Sequence, residues 1–121
     1  MPGLSAAFQT FMSEAPAVSA VWMEAVEDLG AASALDPKTA ALAYLAVLAA
    51  LRLESGVPFH AVLARKGGAT RAEVVSAVLI GLPAAGNAVM QCLPAALGAY
   101  DDSGAPPAPW LAEAKEEPRD R

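Results

Sequence analysis

The sequence predicts an all-α protein, a compact bundle of about six helices. Helix start and stop signals recur along the chain, and no segment alternates apolar and polar residues as a half-buried strand does. Hydrophobic residues form 55% of the 121 residues and charged residues only 17%, so the chain has much apolar surface to bury. Because a domain of this size buries surface inefficiently on its own, we expect a homo-oligomer.

Two helices are predicted at the start of the chain, and both are expected to pack against the core. The first runs from Leu4 to Glu14, and its apolar residues fall on one face. The second begins at Pro16 and ends near Gly30. Its apolar stripe consists of Val18, Val21, Trp22, Ala25, Val26 and Leu29.

A long central helix is predicted next. Asp36 can cap its free amides, Pro37 suits the first helical position, and the helix should end near Arg52 or Glu54. Residues 40–51 are apolar apart from the hydroxyl of Tyr44, which predicts burial on nearly all sides.

The second half of the chain predicts three further helices. A break at residues 55–58 precedes a helix that carries His60 in its first turns and ends at Gly67-Gly68. Thr70 and Glu73 form a capping box that starts a helix to about Ile80. A last helix is expected from Pro83 to Tyr100, with a kink at Pro94.

The chain is predicted to divide into a helical domain, residues 1–102, and a C-terminal tail, residues 103–121, that is rich in proline and charge. Trp110 in this tail is either an incidental surface aromatic or a residue that docks on a neighbouring subunit.

Charge and cysteine content exclude several classes of protein. A net charge of -5 argues against a nucleic-acid partner, which requires a clustered basic face. Cys92 is the only cysteine, so no intrachain disulfide can form. Because the N-terminus also lacks the pattern of a signal peptide, we expect a cytoplasmic protein. Residues 74–99 carry no charge, but Gly81-Leu82-Pro83 divides them into segments better suited to buried helices than to a membrane span. One histidine with scattered carboxylates predicts neither a metal site nor a cofactor.

Several segments, in order, resemble the carboxymuconolactone decarboxylase and alkylhydroperoxidase D family. His60 lies ten residues before Thr70, which is the threonine of a Gly-Ala-Thr helix start. This spacing resembles the active-site segment of that family. The segment Gly81-Leu82-Pro83-Ala84-Ala85-Gly86-Asn87-Ala88 resembles the Gly-Val-Pro-Ala-Ala-Asn segment of the decarboxylase branch. Residues 35–39 and 96–101 resemble the opening of the long helix and the close of the domain. The resemblance implies a helical unit that assembles into trimers or hexamers.

The resemblance also implies which chemistry this chain lacks. In the peroxidase branch a Cys-x-x-Cys-x-x-x-His pattern ends on the equivalent of His60, and here Leu53 and Gly56 occupy the two cysteine positions. The relay glutamate of that branch falls at Ala41. Dithiol peroxidase chemistry is therefore excluded for this chain acting alone.

The decarboxylase branch needs no cysteine, and the resemblance to it implies a lyase acting on a small carboxylated lactone or related acid. His60 is then the candidate acid, and Glu54 a residue that could orient it. Asn87 could bind a carbonyl, and Arg52 or Arg65 a substrate carboxylate. For Asn87 the alternative is a buried amide at a helix end, and for Arg65 a residue that caps a helix C-terminus.

Two other functional classes remain open at this point. The chain could be a catalytically lapsed family member that serves as an oligomeric binding or assembly protein. It could also have an antioxidant role through Cys92, although a packed core cysteine is the preferred interpretation of that residue.

Overall fold

The structure is a computed structural model that describes residues 3–104, and within this range it contains helices and no strand. Six α-helices have nine residues or more, in agreement with the predicted all-α bundle. The α-helices are α1 (Ala6–Glu14), α2 (Pro16–Ala32), α3 (Pro37–Ala50), α4 (Val57–Lys66), α5 (Arg71–Leu79), the short α6 (Leu82–Ala85) and α7 (Leu93–Ser103). Two 3-10 segments, Glu54–Gly56 and Gly86–Cys92, lie between them.

Local capping interactions determine where the central helices begin. The Asp36 carboxylate accepts hydrogen bonds from the backbone amide and the hydroxyl of Thr39, both at 2.9 Å, at the start of α3. At the start of α5, the Thr70 hydroxyl accepts from the Glu73 amide at 3.1 Å and the Glu73 carboxylate accepts from the Thr70 amide at 2.9 Å. The predicted helix start at Asp36 and the predicted capping box are thus confirmed.

The core lies where α3 packs against α4 and α5, and α4 packs against α7. Small residues dominate the contact, which lets the helices approach closely. The fully buried side chains of largest volume are Leu45, Val57, Val74, Val78, Val89 and Cys92.

The outer side of α3 differs from the prediction of burial on nearly all sides. Ala41, Leu45 and Ala49 face the core, but Tyr44 and Val47, away from the centre of that contact, are about half exposed. Within residues 3–104, neighbouring helices cover one side of α3 and leave an apolar face open.

The predicted packing of α2 onto the core is wrong for a single chain. The helix makes most of its contacts with α1, and Ser19 is its one buried residue. The apolar stripe faces outward instead. α2 also continues to Ala32, because Gly30, which is exposed and has open space around it among residues 3–104, is tolerated in the helix.

The predicted helix from Pro83 to Tyr100 is also incorrect in detail. Gly86 has a φ of 78°, a left-handed conformation that interrupts the α-helix after α6. A 3-10 segment follows, and α7 starts at Leu93 with Pro94 in its first turn. Pro94 therefore begins a helix, where its missing amide hydrogen costs nothing, and does not kink one.

The stretch Arg71–Ser103 is long and apolar enough, by length and composition, to cross a membrane. It does not form one straight span, because it breaks after α5 and again at Gly86, and α7 packs back against α5. Val74, Val78 and Val89 in this stretch belong to the core.

The predicted domain boundary at residue 102 falls within the last turn of α7. Beyond Gly104, the predicted tail and Trp110 lie outside the described residues.

Candidate functional site

His60 lies in the first turns of α4, directly after the 3-10 segment Glu54–Gly56. Pro58 occupies the first turn of the helix, where a proline is favoured. Val57 and Ala61 on the same helix are fully buried and fix α4 against the core. His60 is partly buried between these two anchors, so its ring has a defined position.

Two aromatic rings surround the imidazole. The ring of Tyr44, from α3, stacks on His60 with centroids 4.1 Å apart and an interplanar angle of 25°. Phe59 makes an edge contact at 5.3 Å and 85°. Desolvation lowers the pKa of His60 below its ordinary value, because burial disfavours the charged imidazolium. His60 is therefore predominantly neutral at pH 7.

Glu54 and Arg52 lie on the connection between α3 and α4, and both are exposed. Arg52 adopts a φ of 60° and ends α3 in a Schellman motif, in which its amide donates to the Ala49 carbonyl and the Leu53 amide to the Leu48 carbonyl. In the described part of the chain, neither Arg52 nor Glu54 forms a side-chain hydrogen bond with His60.

Arg65, near the end of α4, is engaged with α7. Its Nη1 donates a hydrogen bond of 2.6 Å to the carbonyl oxygen of Tyr100, and its guanidinium lies over the Tyr100 ring. Arg65 also lies in the last turn of α4, where the predicted role at the helix C-terminus requires it, while the backbone amides of Gly68 and Ala69 donate to the last carbonyls of the helix.

Asn87 is exposed and lies in the 3-10 segment Gly86–Cys92. This segment packs against α3, α5, α6 and α7, whereas His60 lies on α4. No hydrogen bond between Asn87 and His60 is found within residues 3–104. The burial proposed as the alternative for Asn87 is not observed in the single chain.

The positions of the missing family cysteines are close to His60 in sequence and available in space. Leu53 is half exposed, and a side chain at Gly56 would meet Leu48 at 3.4 Å, a tight but ordinary contact. Ala41, at the position of the relay glutamate, is buried in the core. Leucine, glycine and alanine at these three positions supply no thiol and no carboxylate.

Cys92 is a core residue, as preferred from the sequence, with 1% of its surface exposed. Burial raises the pKa of its thiol, and the negative charge of Glu54 raises it further. A thiol with a raised pKa in a buried position is a poor nucleophile.

The surface has two grooves of interest, and neither includes His60 or Asn87. The larger, about 680 Å³, lies open between α3 and α5 beside the 2.8 Å ion pair of Lys38 and Glu73. The other, about 570 Å³, lies between Pro58 on α4 and Ala99 on α7. Across residues 3–104, no group of three or more His, Cys, Asp or Glu side chains is placed to hold a metal ion.

Sequence reasoning did not identify Tyr44 as part of the site. Its hydroxyl is the one polar side-chain group in the apolar stretch of residues 40–51, and this signal could have marked it, but nothing in the sequence indicated that Tyr44 meets His60, sixteen residues later.

Residues 3–104 thus form an all-α bundle of short helices, with the one histidine at the start of α4 and the one cysteine buried in the core. The family model for the carboxymuconolactone decarboxylase family matches residues 16–98, which is more than half of the chain. The chain therefore belongs to the carboxymuconolactone decarboxylase family, as its sequence motifs indicated. Comparison with curated proteins and with solved structures gave no significant match.

Proposed function

We propose that this chain is a homo-oligomeric family member that acts on a small carboxylated lactone or related acid through His60, without thiol chemistry. The stacked pair of His60 and Tyr44 carries this proposal, because the Tyr44 side chain is 50% exposed and the imidazole is partly buried. Small-molecule sites combine apolar and aromatic surface with a few polar groups. A flat unsaturated lactone could stack on the exposed part of Tyr44 and bring its polar atoms to the imidazole.

The chemistry assigned to His60 is proton transfer to carbon. In decarboxylation, the bond between the ring and the carboxylate carbon breaks, carbon dioxide leaves, and the electron pair spreads onto the lactone carbonyl. A proton must then be added to the ring, and the His60 imidazolium is the proposed donor. The lowered pKa makes this imidazolium a stronger acid but reduces its population at pH 7, so we expect the rate to fall as the pH rises.

The other predicted site residues keep their roles as proposals. Arg52 and Glu54 are exposed on the connection between α3 and α4, and Asn87 is exposed in the 3-10 segment between α6 and α7. Their side chains are available to a substrate carboxylate or carbonyl, or to a second copy of the chain. Arg65 would have to give up its contact with Tyr100 to serve as a substrate ligand.

The homo-oligomer, a trimer or hexamer by resemblance, is part of the proposal. The exposed apolar faces of α2 and α3 support it, because patches of this size are unusual on monomers. A cytoplasmic location is proposed with it, on the basis of the single, unpaired Cys92.

The test is turnover of 4-carboxymuconolactone and related carboxylated lactones, followed by loss of substrate absorbance. We expect His60→Ala to lower the rate at least a hundredfold, the usual minimum for loss of a general acid. Tyr44→Leu should weaken substrate binding. Lys66→Ala, an exposed substitution on α4, the helix that carries His60, should leave the rate and the substrate binding unchanged. Turnover that survives His60→Ala would overturn the assignment to His60.

A lapsed family member that serves as an oligomeric binding or assembly protein is the second candidate. Its specific support is that His60 packs between Tyr44 and Phe59, outside both grooves, with no side-chain hydrogen bond to orient it among residues 3–104. Absence of turnover with every lactone tested, in an assembled and folded wild type, would favour this candidate. The antioxidant alternative needed an exposed Cys92 and is not supported by its burial.

A further inference from the structure

The second helix presents an apolar surface that the described residues, 3–104, leave uncovered. Five large side chains on α2 are between 41% and 71% exposed, namely Val18, Val21, Trp22, Val26 and Leu29. They form one stripe, since they recur at helical spacing, while Ser19 and Met23 face α1 on a different side. The charged residues of α2 lie outside the stripe. We call this surface the α2 stripe.

The central helix has a second uncovered surface. Tyr44, Val47 and Leu51 lie on one face of α3 and its C-cap, and they are between 50% and 62% exposed. Residues 40–51 contain no charge. A helix that is apolar all round is normally buried all round, so this face, the α3 face, requires a cover that residues 3–104 do not provide. Because Tyr44 stacks on His60, the candidate site borders the same face.

We propose that the α2 stripe of one copy packs on the α3 face of a second copy and thereby closes the His60 and Tyr44 site. This inference rests on the proposed homo-oligomer and adds to it the surface used and the element that covers the site. The largest side chain of the stripe, Trp22, supplies an aromatic surface for the wall opposite Tyr44.

The dimensions of the two surfaces agree with this pairing. Seventeen residues in α2 and fourteen in α3 give helices roughly 25 Å and 21 Å long. The eight side chains of the two surfaces are about half exposed. Even if each had the roughly 150–250 Å² of an aromatic side chain, the two surfaces together would expose roughly 800 Å². One contact of a stripe with a face therefore buries less than the roughly 1,200–2,000 Å² of a standard interface, and each copy buries the whole area only by making the contact twice, once through each surface, as in a closed ring.

Charge also permits this contact between identical chains. The acidic residues beside the α2 stripe, Glu24, Glu27 and Asp28, would cause repulsion against another acidic surface. The α3 face has no carboxylate, since residues 40–51 are uncharged. Two α2 stripes packed on one another would instead bring six carboxylates close together. Pairing α2 with α3 is therefore the better match.

Paired charge substitutions in the full chain test which surfaces meet. The association constant would be measured by sedimentation equilibrium for wild type, Val21→Glu, Val47→Lys and the double variant. We expect an oligomeric wild type and a loss of at least tenfold in association for each single variant. The double variant should recover part of that loss, because Glu on α2 then meets Lys on α3 of the other copy. Ala20→Glu, on the side of α2 opposite the stripe, is the matched control and should associate like wild type.

The possible failures are distinguishable. A wild type that stays monomeric at all concentrations overturns the proposed homo-oligomer, and this inference with it. If wild type is oligomeric but Val47→Lys does not weaken association, or the double variant recovers no association, only the pairing of α2 with α3 is overturned. The proposed homo-oligomer then stands. Circular dichroism of each variant establishes that it is folded.

A second measurement reports on the site itself. His60 is the only histidine in the chain, so its imidazole resonances can be followed by NMR without assignment. In Val21→Glu, which changes α2 and leaves α3 and α4 intact, loss of the partner should expose His60 further and move its titration midpoint upward from that of the oligomer, while burial within the single chain still keeps its pKa below the ordinary value. An identical midpoint in the dissociated variant and in the oligomeric wild type would overturn closure of the site by α2.

Discussion

The guanidinium of Arg65 lies over the ring of Tyr100, 4.5 Å from its centroid, and donates a hydrogen bond to the backbone carbonyl of the same residue. The Tyr100 hydroxyl donates in turn to the carbonyl of Ala69 at 2.8 Å. One residue of α7 thus connects the end of α4 to the loop that precedes α5. Arg71 and Asp101 form an exposed two-bond ion pair beside it, at 3.0 and 3.2 Å.

Tyr100→Phe should lower the free energy of unfolding by about 1 kcal/mol, because the carbonyl of buried Ala69 loses its partner. Urea denaturation would measure this change. Tyr44→Phe is the matched control, since the Tyr44 hydroxyl forms no hydrogen bond with residues 3–104, and it should be nearly neutral. Equal losses in the two variants would show that the Tyr100 hydroxyl has no special structural role.

Arg52→Gly should raise the free energy of unfolding by roughly 0.5–1 kcal/mol. A non-glycine residue at a φ of 60° destabilises the folded state by roughly 1–2 kcal/mol, and glycine removes this strain. The greater conformational freedom of glycine in the unfolded chain offsets part of that stabilisation. Leu51→Gly, one residue earlier at a φ of −84°, lacks this benefit and should destabilise the protein.

The same variant tests the proposed role of Arg52 as a substrate ligand. If Arg52 binds a substrate carboxylate, Arg52→Gly should raise KM while the protein becomes more stable. An unchanged KM in the stabilised variant would remove Arg52 from the site and leave it as the residue that ends α3.

Much of the fold could be predicted from local sequence because the signals are themselves local. Asp36 and Thr70 start helices through hydrogen bonds to residues three positions away, and the sequence displays both partners. The path after α5 was harder to predict. Pro94 is compatible with a kink or with a helix start, and the left-handed conformation of Gly86 decides between them.

The environment of the candidate site depends on contacts between segments, which one sequence does not display. The stacking of Tyr44 on His60 joins α3 to α4, and the contact of Arg65 with Tyr100 spans 35 residues. The exposed face of α3 has a different cause. Apolar residues on all sides of a helix predict that it is buried, but not whether its own chain or another chain covers it.

Protonation of His60 should destabilise the folded protein as the pH falls. Its pKa is lower in the folded state than in the unfolded state, so the unfolded chain binds more protons between the two values. The stabilising contribution is complete above about pH 6.5 and is lost progressively as the pH falls through the folded pKa. Denaturation measured at pH 7.5 and pH 5.5 should show this loss in wild type and not in His60→Gln. The lowered pKa values of Asp36 and Glu73 act at a lower pH, near 4, and do not confuse the comparison.

Cys92 should react with thiol reagents far more slowly in the native protein than in the unfolded chain. Its side chain is 1% exposed, and burial together with the charge of Glu54 raises the pKa of the thiol, so both access and thiolate population are reduced. Modification by an aromatic disulfide, with and without urea, would measure the difference.

Glu54→Gln separates the two causes of low Cys92 reactivity. The substitution removes the negative charge that disfavours the thiolate but leaves the burial of Cys92 unchanged. If the native protein reacts through a thiolate exposed by small local openings, the variant should react modestly faster at pH 8, while the unfolded chains of variant and wild type react alike. If reaction requires global unfolding, the rate should follow the free energy of unfolding and not the charge at residue 54. Rapid modification of native wild type, at a rate close to that of the unfolded chain, would contradict the buried position of Cys92 and restore the antioxidant alternative.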